Sequence, residues 1–424
     1  MRQRQCHRIG CVNEDAGKPR VRALGHVAVT TAAAVALVLA SLWSAPAQAG
    51  KATPVGKNGK VRITGHGYGH GHGMSQYGAQ GAARQGKSYR QILRFYYPGT
   101  KLGRTNPVVR VLIEADTTTS VTVLHKRGLQ VRDLGDGKKY RLPNLRRSNR
   151  WRLVPAKNRR LTKIQYKRDG RWRRWNLPGK RTLFKGDAEF IGAGAKTLIL
   201  PGGDRRVYRG FLRSASPRSG STTRDTVNVV YIDTYIRGVI AAEMPASWRQ
   251  AALRAQAVAA RSYAAHQRRA NRNDYYQLCD STACQVYRGV SAETAATNRA
   301  VSATKHRILT YRGRPAFTQF YSLSGGWTAD GGLPYLPAKR DRWDNWSGNP
   351  VHTWKRSVKT KTIERAYPRL GNLKKVRILQ RSGHGAWGGR VERLRLYGSK
   401  KNVTISGNTM RWKFGLRSNW FKFG

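Results

Sequence analysis

The stretch that most constrains this chain runs from Tyr231 to Ala264, YIDTYIRGVIAAEMPASWRQAALRAQAVAARSYA. Read as a helix from Asp233, it puts Ile236, Ile240 and Glu243 at i, i+4 and i+7, a spacing that places the carboxylate on an aliphatic stripe. Met244-Pro245 ends that helix because the residue before a proline is forced out of helical geometry, and Ser247 is placed to cap a second helix reaching about Ala270. Glu243 thus occupies the last turn of one helix and faces the start of the next. Burial and the negative helix end both disfavour its ionisation, while the second helix N-terminus opposes them. The expectation is a glutamic acid that gives up its proton near neutral pH, as a general acid must.

In the second helix, Leu253, Ala257, Ala260 and Ala264 share one face, where small side chains permit close packing. Pro107 to Leu212 reads as a β-rich module: VVRVLIEA, SVTVLHK, LQVRDL and KTLILPG are short apolar or alternating runs separated by turn residues. The fold class expected is α+β, a helical catalytic layer around Glu243-Met244-Pro245 combined with a sandwich- or barrel-like β module. The division expected is 1–49, 50–106, 107–213 and 214–424.

Residues 1–49 read as an export signal. Arg20 and Arg22 precede an uncharged run from Ala23 to Leu42, and Ala47-Gln48-Ala49 fits a small-x-small cleavage site. An uncleaved anchor is the competing reading, because the run approaches a membrane-spanning length. The alanine-rich run and the processing site favour cleavage, and either reading places the remainder outside the cytoplasm. Charge matters in that setting. With 81 basic and 21 acidic residues the chain is net +60, which implies contact with polyanions. For an exported protein these are anionic wall polymers or anionic lipid rather than intracellular nucleic acid; a compositional bias toward arginine is the bland alternative. LRRSNRWRLVPAKNRRLTKIQYKRDGRWRRW interleaves its cations with Trp151, Trp172 and Trp175. That mixture suits a polyanionic carbohydrate or single-stranded nucleic acid, or else strands with tryptophans inside and arginines solvated.

ITGHGYGHGHGMSQYGAQG places His66, Tyr68, His70 and His72 two apart, on one face of an extended chain, with glycines that admit another backbone or a glycan. A groove wall containing His70, His72 and Gln76, a metal site and a packing segment are the three readings. No carboxylate or cysteine accompanies the histidines, which weighs against metal. A helix follows from about Ser75. Cys279 and Cys284 close a short loop, and in an exported chain a disulfide is favoured. In FYSLSGGWT, Ser322 and Ser324 can bond sugar hydroxyls, Gly325 and Gly326 permit close approach, and Trp327 can stack on a pyranose. A serine nucleophile is disfavoured, since the Gly-x-Ser-x-Gly strand-turn-helix context is missing. Asp341 and Asp344 are helper carboxylates or turn residues.

EMPASW followed by ALRAQAVAARSYA, with GHGHGMSQYGAQG, FYSLSGGWT and the closing GLRSNWF, resembles the stage II sporulation protein D (SpoIID/LytB) family. That family of bacterial cell-wall proteins includes lytic transglycosylases and amidase enhancers. The resemblance implies that Glu243 alone acts as acid and then base on peptidoglycan glycan strands. The muramic acid 6-hydroxyl serves as nucleophile, and the product is a 1,6-anhydro sugar. It further implies that Gln256 and Arg261 support the groove near Glu243, against a plain reading as helix former and charged helix face. The alternatives are a non-catalytic wall-binding module that assists an amidase partner and needs Glu243 only for packing, and an extracellular acidic-polymer binder. No cofactor is expected. Some relatives hold zinc beside such cysteines, but Ala283 precedes Cys284 here, and the nearest upstream histidine is His266. The Gly/His motif comes before the glutamate motif rather than after it, so whether the two share a groove is left to the structure.

Overall fold

The computed structural model describes residues 50–424 except 57, 157–160 and 180. The export signal expected over residues 1–49 lies outside the described residues. The fold is α+β, with several open sheets around a helical layer.

Alternating side chains build the β module. A six-stranded antiparallel sheet runs in the order Arg171–Arg174, Thr162–Arg168, Arg150–Pro155, Val121–Leu124, Lys196–Ile199, Arg205–Tyr208. Its alternate residues Val121, Val123, Trp151, Leu153, Ile164 and Leu198 are buried. A seven-stranded sheet contributes Val109, Val111, Leu129, Val131, Phe190 and Leu212 to the same core. Neither sheet closes into a barrel. The seven-stranded sheet also takes in Asp225–Tyr231, whose chain passes directly into α3 (Ile232–Glu243), and Leu278–Cys279 at its edge. One hydrophobic core therefore serves the sheets and the helices, with Ile236 and Ile240 of α3 and Val258 of α4 (Gln250–Ala270) in it.

The Gly/His segment leads into α1 (Gln76–Arg84) and α2 (Tyr89–Tyr96). Ser75 caps α1 by accepting from Gly78 N–H, and Ser88 forms a capping box with Gln91 on α2. Ser247 makes no such cap. Pro245 to Trp248 turns instead, and α4 starts at Gln250, with the Arg249 N–H donated to Gln80 of α1. A fifth helix, α5 (Ala295–Ala303), packs on α4 and α3.

A second, smaller core joins chain ends that are distant in sequence. Lys60–His66 pairs with Thr353–Lys359 on one side and Phe421–Phe423 on the other. Thr53–Pro54 extends the four-stranded sheet of Leu373–Arg381, Val391–Gly398 and Asn402–Ser406.

Candidate active site

Glu243 is the last residue of α3, and Met244 behind it is extended at φ −133°, ψ 142°, as the following proline demands. Both carboxylate oxygens are held. Gln76 Nε2 donates to Oε2 at 3.1 Å, and the Val286 N–H donates to Oε1 at 3.1 Å. Burial pushes the Glu243 carboxyl up from its ordinary pKa, and the two hydrogen bonds pull the other way without cancelling it. The result is an acid that keeps its proton to a higher pH than a surface glutamate does.

Three half-buried aromatic side chains cluster around the residue next to Gln76. Tyr77, next to Gln76 on α1, meets Trp248 edge-on at 4.9 Å and stacks on Trp346 at 6.0 Å. Trp346 Nε1–H is donated to the Tyr77 carbonyl, and the Arg84 guanidinium lies over the Trp346 ring at 4.9 Å. Partly open rings next to the hydrogen-bond partner of a half-buried carboxylic acid suit a substrate with alternating polar edges and apolar faces.

The Gly/His segment is not extended. Gly67, Gly69, Gly71 and Gly73 all have positive φ, so the alternation that would align the histidines on one face is broken. The close approach that the glycines permit is made by this chain itself: a Cβ on Gly73 would lie 2.1 Å from the Gln319 carbonyl. Met74–Ser75 pairs in parallel with Phe320–Tyr321, and Tyr68 exchanges backbone hydrogen bonds with Leu323. His70 is held at both nitrogens. Its Nδ1 accepts from the His72 N–H at 3.0 Å, which leaves Nε2–H to donate to the Phe320 carbonyl at 3.1 Å. Burial, then the neighbouring His72, keeps His70 neutral, and no ring lone pair is left for a metal. His72 stands beside it, with ring centres 5.1 Å apart and a backbone bridge to Ala329.

The Ser–Gly loop is likewise turned inward. Ser324 is fully buried; its hydroxyl donates to Asp341 Oδ2 at 2.9 Å and its N–H to Asp344 Oδ1 at 2.9 Å. Gly325 N–H donates to Asp344 Oδ2, and a Cβ on Gly325 would strike Gly67 and His66. Gly326, at φ +106°, donates to Ser324 Oγ. The reading of this loop as a sugar-binding surface therefore does not match the placement of Ser324 and Gly325, whose polar groups hold the loop to the Gly/His segment. Ser322 is half-buried and receives the Tyr77 N–H on its carbonyl. Trp327 is half-buried and stacks on His384 at 5.3 Å. Asp341 and Asp344 are buried centres of this joint. Burial and the charge of Asp344 raise Asp341, while hydrogen bonds from His352, Ser324 and Ser75 hold Asp344 low against its own burial.

Arg261 lies away from Glu243. It is fully buried and donates through Nε to Asp233 in the first turn of α3 at 2.6 Å and through Nη1 to the Arg307 carbonyl at 2.9 Å. Ten residues of helix, about 15 Å, separate Asp233 from Glu243. Arg261 therefore ties α4 to α3 and to a neighbouring strand rather than lining the site. Gln256 is fully buried, and neither of its amide atoms has a hydrogen-bond partner among the described residues. Cys279 and Cys284 form a disulfide, so neither sulfur is a free thiolate for zinc. The Val286 N–H carries no sequence signal. Trp248 and Trp346 were visible within EMPASW and RWDNW, and only their proximity to Tyr77 gives them a role.

A cavity of about 570 Å³, lined in part by His266, Arg269, Tyr311, Arg314 and Tyr335, lies at the C-terminal end of α4. Glu243 is near the other end of that 21-residue helix, so the two are separate features.

Fold and site together define an α+β protein in which a half-buried carboxylic acid ends the first of two successive helices and bonds the residue next to an aromatic cluster. Residues 220–311, which hold Glu243, both helices and the disulfide, match the family model described as "Stage II sporulation protein", and the chain carries a SpoIID-family domain. It is 37% identical over 139 residues to an amidase enhancer of Bacillus subtilis (strain 168), covering 31% of this chain and 19% of that protein. It is 30% identical over 224 residues to stage II sporulation protein D of the same strain, covering 48% and 63% respectively. To stage II sporulation protein D of Bacillus amyloliquefaciens it is 33% identical over 147 residues, 30% and 43% of the two lengths. The chain thus spans less than two thirds of each of these relatives.

Proposed function

We propose that this protein is exported and cleaves peptidoglycan glycan strands as a lytic transglycosylase. The observation that carries the reading is the half-buried Glu243 carboxyl, raised in pKa and oriented at both oxygens by Gln76 and Val286. Protonated Glu243 gives its proton to the bridging oxygen as the bond from muramoyl C1 to that oxygen breaks. The resulting carboxylate takes the proton of the muramoyl 6-hydroxyl while O6 bonds to C1. Water is not consumed, the acid is regenerated, and a 1,6-anhydromuramoyl end is left. One carboxyl group suffices, whereas a two-carboxylate hydrolase needs a second placed to activate water or attack the sugar. Asp341 and Asp344, the acids that hold the Ser–Gly loop, are closed off from solvent.

Mass spectrometry of purified peptidoglycan after incubation with the protein should detect anhydromuramoyl ends, and Glu243→Gln should abolish them. Unchanged product in that variant sinks the mechanism. A second reading is favoured by the 37% identity to an amidase enhancer: a wall-bound protein that stimulates an amidase without cutting glycan itself. It expects no anhydro product and an amidase stimulation indifferent to Glu243→Gln.

A further inference from the structure

The basic aromatic stretch that the sequence left ambiguous is sorted by the sheet into two faces. Trp151 is 1% exposed and lies in the core, with Trp175 edge-on against it at 5.5 Å. The cations at alternate positions fall on the opposite face. In the antiparallel register, Lys167 stands between Arg150 and Trp172, Gln165 between Arg152 and Arg174, and Lys163 beside Val154. Strands lie about 4.8 Å apart and same-face residues about 7 Å apart along a strand, so these side chains form a lattice of positive charge. Arg152 is fixed within it: its Nε donates to Gln165 Oε1 at 2.8 Å and its guanidinium lies 4.1 Å above the Trp172 ring. Among the described residues no carboxylate pairs with Arg150, Arg152, Lys163, Lys167 or Arg174. The acid nearest in sequence, Asp169, sits at the hairpin turn with Arg147 and Arg168.

We propose that this outer face binds a linear polymer of phosphodiester-linked polyols, read by charge spacing. Like cations on neighbouring strands repel one another and cost stability, and a polyanion laid across them removes that cost. Arginine and lysine suit phosphate oxygens in particular. Single-stranded nucleic acid fits less well. A base-stacking platform needs successive open rings, and this face has one indole, already covered by Arg152. The proposal is independent of any reaction at Glu243.

The test measures affinity of the full chain for soluble poly(glycerol phosphate) as salt is varied. Replacing Arg150, Lys163, Lys167 and Arg174 together by Gln leaves the Arg152–Trp172 pair intact. It should weaken binding at least about 100-fold at low salt and reduce the log–log salt slope by about 3. A control replaces Lys361, Lys374, Lys400 and Lys401, all exposed and on other elements, and should lose less than about 3-fold. Should the quadruple face variant not fold, Lys163→Gln/Lys167→Gln alone should reduce the slope by more than one, twice the loss given by Lys400→Gln/Lys401→Gln. Equal losses from face and control variants would mean diffuse attraction and overturn the proposal. Tighter binding of single-stranded DNA with the same number of phosphates, lost on Trp172→Ala, would overturn it in favour of a nucleic-acid surface.

Discussion

Gln76 Nε2 donates to Glu243 Oε2 at 3.1 Å across 167 positions of sequence. The bond joins the Gly/His motif, which comes early in the chain, to the glutamate motif at the end of α3. Pairing of Met74–Ser75 with Phe320–Tyr321 brings the Ser–Gly loop to the same neighbourhood. Order along the chain is therefore no obstacle to one site, because strand pairing between distant residues (Met74 with Phe320, Ser75 with Tyr321) closes it.

The Gln76 hydrogen bond favours the charged form of Glu243, so its removal shifts the carboxyl further up. Gln76→Leu should move the alkaline limb of the pH–rate profile on peptidoglycan to higher pH. A general acid contributes about 10²- to 10⁴-fold, and Glu243→Gln should lose an amount in that range at pH values below the limb, where the parent acid holds its proton. A limb that stays in place in Gln76→Leu would show that the bond does not tune the acid.

The same shift has a consequence for stability. A carboxyl whose folded pKa lies above its unfolded value stabilises the fold below the unfolded pKa, and that stabilisation is lost as pH rises through the folded pKa. Glu243→Gln removes the group whose ionisation its partial burial opposes. Thermal melting should show the variant more stable than the parent at pH 8, with the difference vanishing near pH 4. A constant difference across that range would mean that Glu243 ionises without hindrance.

Periodicity and breakers made much of the architecture legible. Ile236, Ile240 and Glu243 do share a helix that Met244-Pro245 ends, and the alternating runs after Pro107 do become strands. Contacts between distant segments were not legible. The Gly–His alternation looks like a strand on paper, yet four positive-φ glycines turn it so that the chain packs against residues 319–325. Ser324 looks like a sugar ligand only until Asp341 and Asp344, in a separate turn, are seen to claim its hydroxyl and N–H. Arg261 shares α4 with Gln256, but its partner Asp233 lies at the far end of α3 from Glu243. Such facts depend on which loops meet, and residue spacing within a segment carries no record of that.

The disulfide between Cys279 and Cys284 precedes the Val286 N–H by two residues. Closing so short a loop stabilises a fold by about 2 kcal/mol in the chain-entropy account. Replacing both cysteines by Ala should cost about that much in denaturant melts. It should also release the Val286 hydrogen bond and move the alkaline limb upward, as Gln76→Leu does. A loss of stability with no movement of the limb would separate the loop from the acid.

Gly78 lies in the first turn of α1, where a Cβ would stand 2.1 Å from Tyr96 Oη and 2.5 Å from Asp341 Oδ2. Alanine normally favours a helix over glycine by about 0.5–1 kcal/mol, but overpacking costs about 1–3 kcal/mol. The crowding is the larger effect. Gly78→Ala should therefore destabilise and, by moving α1, displace Gln76 and lower activity. Gly86 has φ +75° and open space around it, so Gly86→Ala should cost only the left-handed strain, about 1–2 kcal/mol, with activity intact.

Gln256 sets packing against function most directly. Its amide is fully buried in α4 without a hydrogen bond among the described residues, and an unsatisfied buried amide costs about 1–3 kcal/mol. Leucine nearly matches its volume and carries no such cost. Gln256→Leu should thus raise the stability by about 1–3 kcal/mol in denaturant unfolding. If the amide serves only the fold, turnover of peptidoglycan stays at the parent level. If stability rises while turnover falls, the unsatisfied amide is kept for the substrate complex, where a glycan hydroxyl or a shifted side chain would satisfy it. A fall in both would show that the amide already has a partner in solution and that the cavity around it does not accept an apolar group.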